Sequence, residues 1–150
     1  MASQFRIAEV DGVEEEDTLK ELQLACLPPD VLYPTDSGYW WLATIEDEVP
    51  VAFAGLAVYD EVVGYLCRVG VLPEFRGNRL QVRLTRAVER RARRIGCTLM
   101  VTDTNRNPPS ENSLIRCGFR LFEPESPPGK QPAWAPWALP TSIYWRKPLI

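Results

Sequence analysis

A short basic loop between a predicted strand and a predicted helix is the part of this sequence best suited to chemistry. Residues 69–81 run from an apolar stretch through a turn at Pro73 into Arg76, Gly77 and a long amphipathic segment. The first turn of a helix has backbone N–H groups without intrahelical partners, which makes it an anion site. Gly77 lets the backbone approach a ligand closely, and Arg76 adds a fixed positive charge. The loop is therefore suited to a pyrophosphate, and so to a nucleotide-bearing cofactor.

The chain contains no histidine. This removes the commonest general base and the commonest metal ligand, and it excludes hydrolases built on a Ser-His or Cys-His pair. Catalysis would have to use carboxylates, tyrosines, cysteines, backbone amides or ordered water. The four cysteines are widely spaced and show no metal-ligand spacing, so we expect reduced thiols packed as small apolar groups and no metal.

Length and composition predict one globular domain over residues 1–150, since 45% of the residues are hydrophobic and 25% are charged. No apolar run approaches membrane-spanning length, and the N-terminus lacks the apolar segment of a signal peptide. We therefore expect a cytoplasmic protein without a membrane partner. The net charge of −3 argues against a dedicated nucleic-acid binder.

Hydrophobic periodicity predicts the elements that must position the loop. Strands are predicted over residues 5–10, 39–45, 51–58, 62–71, 98–102, 119–122 and 141–147. Helices are predicted over residues 14–27, 80–95 and 110–117, and residues 31–38 and 123–140 are predicted to be irregular. The order β-α-β-β-β-α-β-α-β-β predicts a mixed α/β sheet with helices packed on its faces.

This order and two motifs resemble the GNAT (Gcn5-related) N-acetyltransferase family. Residues 71–81, which contain Arg76-Gly77-Asn78-Arg79-Leu80-Gln81, are similar to the family's acetyl-CoA loop, [RQ]-x-x-G-x-[GA]. Residues 107–110 (Asn-Pro-Pro-Ser) and the Gly118-Phe119 pair resemble its N-x-x-[AS] helix that ends in G-F. The resemblance implies a mostly antiparallel sheet of six to seven strands, with helices on both faces, splayed between strands 4 and 5.

The resemblance also implies direct transfer of an acyl group from an acyl-CoA, acetyl-CoA above all, to an amine of a small molecule or a peptide. It implies that the coenzyme is bound by residues of the strand before the loop, of the loop itself and of the start of the later helix. These residues are Val69, Val71, Arg76, Gly77, Asn78, Arg79, Leu80, Gln81, Asn107 and Ser110. The Asn-Pro-Pro-Ser segment is equally typical of a turn followed by a helix N-cap.

Three residues depart from the family pattern. Arg79 stands where the family usually has Gly, and Gln81 where it has Gly or Ala, so larger side chains lie where a backbone approaches the coenzyme. Leu114 occupies the position at which many members carry a tyrosine general acid. Leu114 favours a slower or differently organised enzyme, and Arg79 could either crowd the coenzyme arm or turn outward and bind a phosphate.

The general base is left open by the sequence. Glu61, with Asp60 beside it, and Tyr65 are the nominated catalytic residues, because they precede or lie on the fourth strand. A water chain to one carboxylate would also satisfy the chemistry. The alternative is that Asp60 and Glu61 form a solvated turn and that Tyr65 is a packed strand aromatic.

Acceptor specificity is predicted to lie in the two irregular segments and the second strand. The nominated residues would form a pocket with aromatic walls and one carboxylate, which would suit a cationic amine. They are Tyr33, Asp36, Tyr39, Trp40, Trp134 and Trp137. The same aromatics could instead cover a small core. The C-terminal residues 134–147 resemble tails of bacterial and phage-encoded acetyltransferases.

Two rival functions stay open at this point. A non-catalytic acyl-CoA-binding or protein-interaction module is suggested by Arg79, Gln81 and Leu114. An RNA- or DNA-associated protein is suggested by the arginines of the predicted helix 80–95, although a solvated polar face, with arginines near the helix C-terminus favoured by the dipole, is the preferred interpretation. The expected assembly is a monomer or a homodimer.

Overall fold

The computed structural model describes residues 4–27, 32–105, 107–127, 130–135, 138 and 140–150. Seven strands form one sheet: β1 (Arg6–Val10), β2 (Tyr39–Ile45), β3 (Val49–Tyr59), β4 (Val63–Val71), β5 (Leu99–Thr104), β6 (Arg120–Phe122) and β7 (Ile143–Pro148). Within these ranges, three α-helices accompany them: α1 (Glu16–Cys26), α2 (Leu80–Arg94) and α3 (Pro108–Arg116). The predicted order of elements is confirmed, with ends that shift by up to two residues. No described helix is both long and apolar enough to cross a membrane.

The sheet has the spatial order β1-β2-β3-β4-β5-β7-β6. Only β4 and β5 run parallel, joined through α2, and the other neighbours are antiparallel. The expected mixed, mostly antiparallel sheet is thus confirmed.

Helices cover both faces of the sheet because its central strands are apolar on both sides. Trp40, Leu42 and Phe53 pack with α1, whereas Trp41 and Ala43 belong to the larger cluster around α2. Neighbouring residues of a strand point to opposite faces, so the adjacent tryptophans of β2 contribute to different cores. Gly55 is required beside Trp40, since a Cβ there would stand 2.5 Å from its ring.

Strands β4 and β5 diverge soon after they meet. Their pairing is limited to Val63–Leu99, Gly64–Met100 and Tyr65–Val101. Just beyond, Cys67 is an extra residue in the pairing of β4 with β3, a bulge that bends the strand. The buried hydroxyl of Thr102 donates to the carbonyl of Leu66 at 2.8 Å where the gap opens. The separation of β4 and β5 is therefore stabilised by specific contacts on both strands.

Candidate active site

The loop between β4 and α2 has the geometry of an anion site. A short 3₁₀ turn (Pro73–Phe75) leads into Gly77, with φ of +89°, and Arg79, with φ of +60°. Arg79 is the N-cap of α2 and makes no side-chain capping hydrogen bond. No atom of the described residues lies within 4 Å of where a Cβ of Gly77 would stand. The N-terminal amides of α2 thus begin beside an open, glycine-lined surface.

Several predicted coenzyme residues hold this loop in shape through their side chains. Arg76 Nε donates to the carbonyl of Val71 at 3.3 Å, and Asn78 Nδ2 donates to the carbonyl of Phe75 at 2.9 Å. Leu80 is only 2% exposed and anchors the first turn of α2 in the core. What the loop offers a ligand is therefore mainly its backbone.

The fork between β4 and β5 opens into a cleft of about 560 Å³. Its described walls come from the end of α1 and the chain after it, from β4 and β5, from the start of α2, from α3 and the residues before it, and from the segment before β7. These residues are Cys26, Leu27, Tyr33, Tyr65, Leu66, Cys67, Arg68, Val69, Gln81, Thr102, Asp103, Thr104, Asn105, Asn107, Pro108, Ser110, Leu114, Ala138 and Ser142. Val69, Gln81, Asn107 and Ser110, all predicted to contact the coenzyme, are brought together here.

The mouth of the cleft near α2 is bridged by a hydrogen bond. Gln81 Nε2 donates to Ser110 Oγ at 3.1 Å, joining the first turns of α2 and α3. Asn107 caps α3, with its side-chain oxygen accepting from the Ser110 amide at 3.4 Å. Leu114 is 3% exposed and lines the cleft, so the position of the family's general acid holds no protic group.

The opposite end of the cleft contains a tyrosine–carboxylate pair. Tyr65 Oη, from β4, donates to Asp103 Oδ1, from β5, at 2.6 Å. Burial raises the pKa of the Asp103 carboxyl, and the Tyr65 hydrogen bond and the charge of Arg68 partly oppose that rise. Burial and then the charge of Asp103 raise the pKa of Tyr65, so its hydroxyl stays protonated.

Tyr33 and Cys67 complete this end of the cleft. The backbone of Tyr33 is held by the buried Gln23 side chain, which accepts from its N–H at 2.9 Å and donates to its carbonyl at 3.1 Å. Burial is the largest cause that raises the pKa of Tyr33 to about 12 and that of the Cys67 thiol to about 12. Cys67 is therefore a thiol near neutrality and a weak nucleophile. All four cysteines are unpaired, as expected.

Sequence reasoning missed Asp103 because the predicted fifth strand stopped at Thr102. In the structure β5 continues to Thr104, since Asp103 pairs with Tyr144 and Thr104 with Ile143 of β7. A polar residue directly after an apolar run is typical of the start of a loop. The signal that favours a strand, a pairing partner, lies about forty residues downstream.

The nominated base Glu61 is not brought to the cleft. Asp60 and Glu61 form the β3–β4 turn with φ of +52° and +63°, and both are exposed. This turn precedes the segment in which β4 and β5 are still paired, so it lies at the closed end of the fork. Of the two nominated catalytic residues, only Tyr65 lines the cleft.

Of the nominated acceptor residues that the structure describes, Tyr33 alone lines the cleft. The prediction that Trp40 contacts the acceptor is corrected, because this residue is 1% exposed and packs in the core beneath α1. Tyr39 faces α2, where the Arg91 guanidinium lies 5.0 Å from its ring centroid. Asp36 is exposed outside the cleft. Trp134 packs behind the cleft wall, 5.3 Å from the Tyr65 ring, and Trp137 falls outside the described residues.

The arginines of α2 line a separate groove of about 530 Å³ against β1 and β2. Arg91 lies 3.3 Å from a carboxylate oxygen of Glu9 on β1. On the neighbouring face, Arg93 pairs with Glu89. These contacts explain part of the arginine cluster as packing of the helix against its surroundings.

Comparison with known proteins identifies a family match and similar folds. A sequence model of the acetyltransferase (GNAT) family matches residues 7–119. An acetyltransferase of the GNAT family from Staphylococcus aureus MU50 superposes with a TM-score of 0.76 at 16% identity, over 97% of this chain and 99% of that one. The yncA protein of Salmonella typhimurium, solved with its cofactor acetyl-CoA, gives 0.74 at 17% identity, over 99% and 95%.

A third similar structure is nourseothricin acetyltransferase, with a TM-score of 0.70 at 16% identity over 99% of this chain and 100% of that one. At such identities the likeness establishes the fold. No curated protein matches the chain in sequence.

Proposed function

Since the chain belongs to the acetyltransferase (GNAT) family, we propose that it transfers the acetyl group of acetyl-CoA directly to the nitrogen of an amine. The acceptor end of the cleft, with its tyrosines and carboxylate, supports an amine over an alcohol, because a carboxylate can both attract an ammonium group and remove its proton. The expected cytoplasmic location and the choice between monomer and homodimer remain predictions.

The observation that carries this proposal is the cleft in the fork of the sheet, which extends from Tyr65 and Asp103 to Gln81 in the first turn of α2. Beyond Tyr65, no described strand lies beside one edge of β4, so residues 66–69 line the cleft, and their backbone groups that are not already bonded require polar partners. The amide-rich arm of an acyl-CoA would supply them. Its diphosphate would lie against the amides around residues 76–81, and Asn107 and Ser110 would close on the arm from α3.

The reaction needs a neutral amine, and an amine with a pKa near ~10 is deprotonated at pH 7 at a cost of roughly 4 kcal/mol. A base in the cleft lowers that cost. As the amine attacks the thioester, negative charge develops on the carbonyl oxygen, and a backbone N–H of the unpaired edge of β4 is the donor we assign to it.

The leaving thiolate requires little help. A thiol with a pKa near ~8.5 leaves readily at neutral pH, so an acid at the Leu114 position would save little. The proton released from nitrogen can reach the thiolate or water through the open cleft. The apolar Leu114 is thus compatible with turnover, at a rate below that of a relative with a tyrosine there.

Calorimetric titration with acetyl-CoA tests the proposal. We expect micromolar affinity that falls in Arg76→Ala, because that side chain supports the loop through the Val71 carbonyl. Arg94→Ala is the matched control, since Arg94 is the last residue of α2 and lies about 21 Å along the helix axis from Leu80 at its start. Binding no tighter than millimolar would overturn the proposal.

The rival function is a non-catalytic acyl-CoA-binding module, favoured by the buried Leu114 and by the Gln81–Ser110 bridge across the mouth of the cleft. It predicts coenzyme binding without thiol release for any amine. Amine-dependent release of CoA, measured with a thiol-reactive dye, would eliminate it.

A further inference from the structure

Asp103 is the one carboxylate among the described residues that line the cleft. We propose that it docks the ammonium group of the acceptor and takes its proton, that Tyr65 positions it, and that the acceptors are therefore small cationic primary amines. This inference rests on the proposed N-acyltransferase function. It replaces Glu61 as the nominated base.

The backbone of Asp103 is fixed from one side and its side chain from the other. Asp103 pairs with Tyr144 of β7, and its Oδ1 accepts the Tyr65 hydroxyl across the fork at 2.6 Å. The residue is half-buried, so a ligand in the cleft can reach the carboxylate. A group locked by two neighbouring strands is suited to meet a reacting atom in one orientation.

The surroundings of Asp103 favour a stronger base than an exposed aspartate. Tyr65 and Arg68 face it from β4, and Tyr144 faces it from β7. Burial raises the pKa of the carboxyl above that of an exposed aspartate, which makes the carboxylate a stronger base. Because the pKa of Tyr65 is also raised, its hydroxyl remains a hydrogen-bond donor and does not compete for the proton.

The protons of the transfer balance without another reactant. The ammonium gives one proton to the Asp103 carboxylate, and the neutral nitrogen attacks the thioester carbon. As the C–N bond forms and the C–S bond breaks, the nitrogen loses a second proton. One of the two protons ends on the CoA thiol and the other on water, which returns Asp103 to its ionised form.

An aromatic cluster supports the wall of the cleft next to Asp103. Trp134 lies 5.3 Å from the Tyr65 ring and 5.7 Å from that of Tyr144, and it stacks on Phe122 at 6.4 Å. This cluster fixes the Tyr65 wall, so it has little freedom to widen. With Tyr33 on the same cleft, the space around the carboxylate suits a primary amine next to an apolar or flat group.

Benzylamine and benzyl alcohol provide the binding test, because they share a ring and differ in charge. Each is titrated calorimetrically into the protein saturated with CoA. We expect the wild type to bind benzylamine at least ~10-fold more tightly, as expected for one charge-assisted hydrogen bond. Asp103→Asn should lose this preference, whereas the exposed Glu21→Gln control should keep it. Equal binding of the two compounds to the wild type would overturn the proposal.

Turnover with benzylamine tests the proton transfer separately. Asp103→Asn should lower kcat/KM at pH 7 by about 10²- to 10⁴-fold, and its activity should rise with pH towards the pKa of the free amine. In Tyr65→Phe the acid limb of the wild-type profile should move to higher pH, because a hydrogen bond that lowers the Asp103 pKa is lost. An unchanged acid limb would assign Tyr65 a purely structural role and refute positioning.

The two failures are distinguishable. Failure of the wild-type protein to bind CoA would refute the proposed function. CoA binding with an ammonium preference that survives in Asp103→Asn, or a loss of activity in Glu61→Gln that matches the loss in Asp103→Asn, would refute only the role of Asp103. Thermal unfolding of every variant checks that each is folded.

Discussion

Arg79 adopts a backbone conformation that is costly for an arginine, and two substitutions can measure that cost. Its φ of 60° and ψ of 21° lie in the left-handed region, at a position where the family usually carries glycine. A residue with a Cβ pays about 1–2 kcal/mol there. Glycine avoids this penalty but loses about 0.5–1 kcal/mol of extra chain entropy on folding.

We therefore expect Arg79→Gly to be more stable than Arg79→Ala by about 0.5–1 kcal/mol, or about 1–4 °C in Tm. Urea unfolding measures the difference. Arg90 is the control, because it is exposed in the middle of α2. At this position the order of stability should be the opposite, with Arg90→Gly about 1 kcal/mol less stable than Arg90→Ala. If Arg79→Ala equals or exceeds Arg79→Gly, the left-handed loop is wrong.

The same two variants separate backbone shape from charge in coenzyme binding. Both lose the guanidinium, so if Arg79 pairs with a phosphate, both should weaken CoA binding by a similar ~2- to 5-fold at low salt. Added salt should shrink that difference. Wild-type affinity in both variants would mean that the arginine plays no part in binding.

Three further predictions concern the core, the mouth of the cleft and its carboxylate. Gly55→Ala should lower the free energy of unfolding by about 1–3 kcal/mol in urea, because its Cβ would meet the buried Trp40 ring; unchanged stability would contradict this packing. Gln81→Ala should tighten CoA binding by about 2- to 10-fold, since the coenzyme no longer has to break the bond to Ser110. Weaker binding would instead make the Gln81 amide a ligand of the coenzyme. Asp103→Asn should be more stable than the wild type at pH 7, because a carboxyl whose folded pKa is raised loses stability as pH rises through that pKa. The difference should vanish below about pH 4, where the carboxyl is protonated in both states, and a difference that persists there in thermal melts would point to another cause.

Local sequence chemistry determined most of the fold. The apolar spacing of α2 and its Gly96 end predicted that helix to within one residue of its observed limits. Asn107, which caps α3, and Gly77 in the α2 loop mark turns that depend on residues close in sequence. Such features depend on neighbours within a few positions, so a single sequence contains all the information they need.

The chemistry of the cleft was decided by contacts between distant parts of the chain. From the sequence alone, a coenzyme loop, a second coenzyme-contacting helix and an ordered series of strands could be predicted. Only the tertiary structure extended β5 through its pairing with β7, carried Asp103 to Tyr65, and turned Trp40 into the core while Tyr33 reached the cleft. The reason is physical: a strand buried on both faces has no polar alternation to reveal which face each residue takes, and its pairing partner is chosen by the whole sheet.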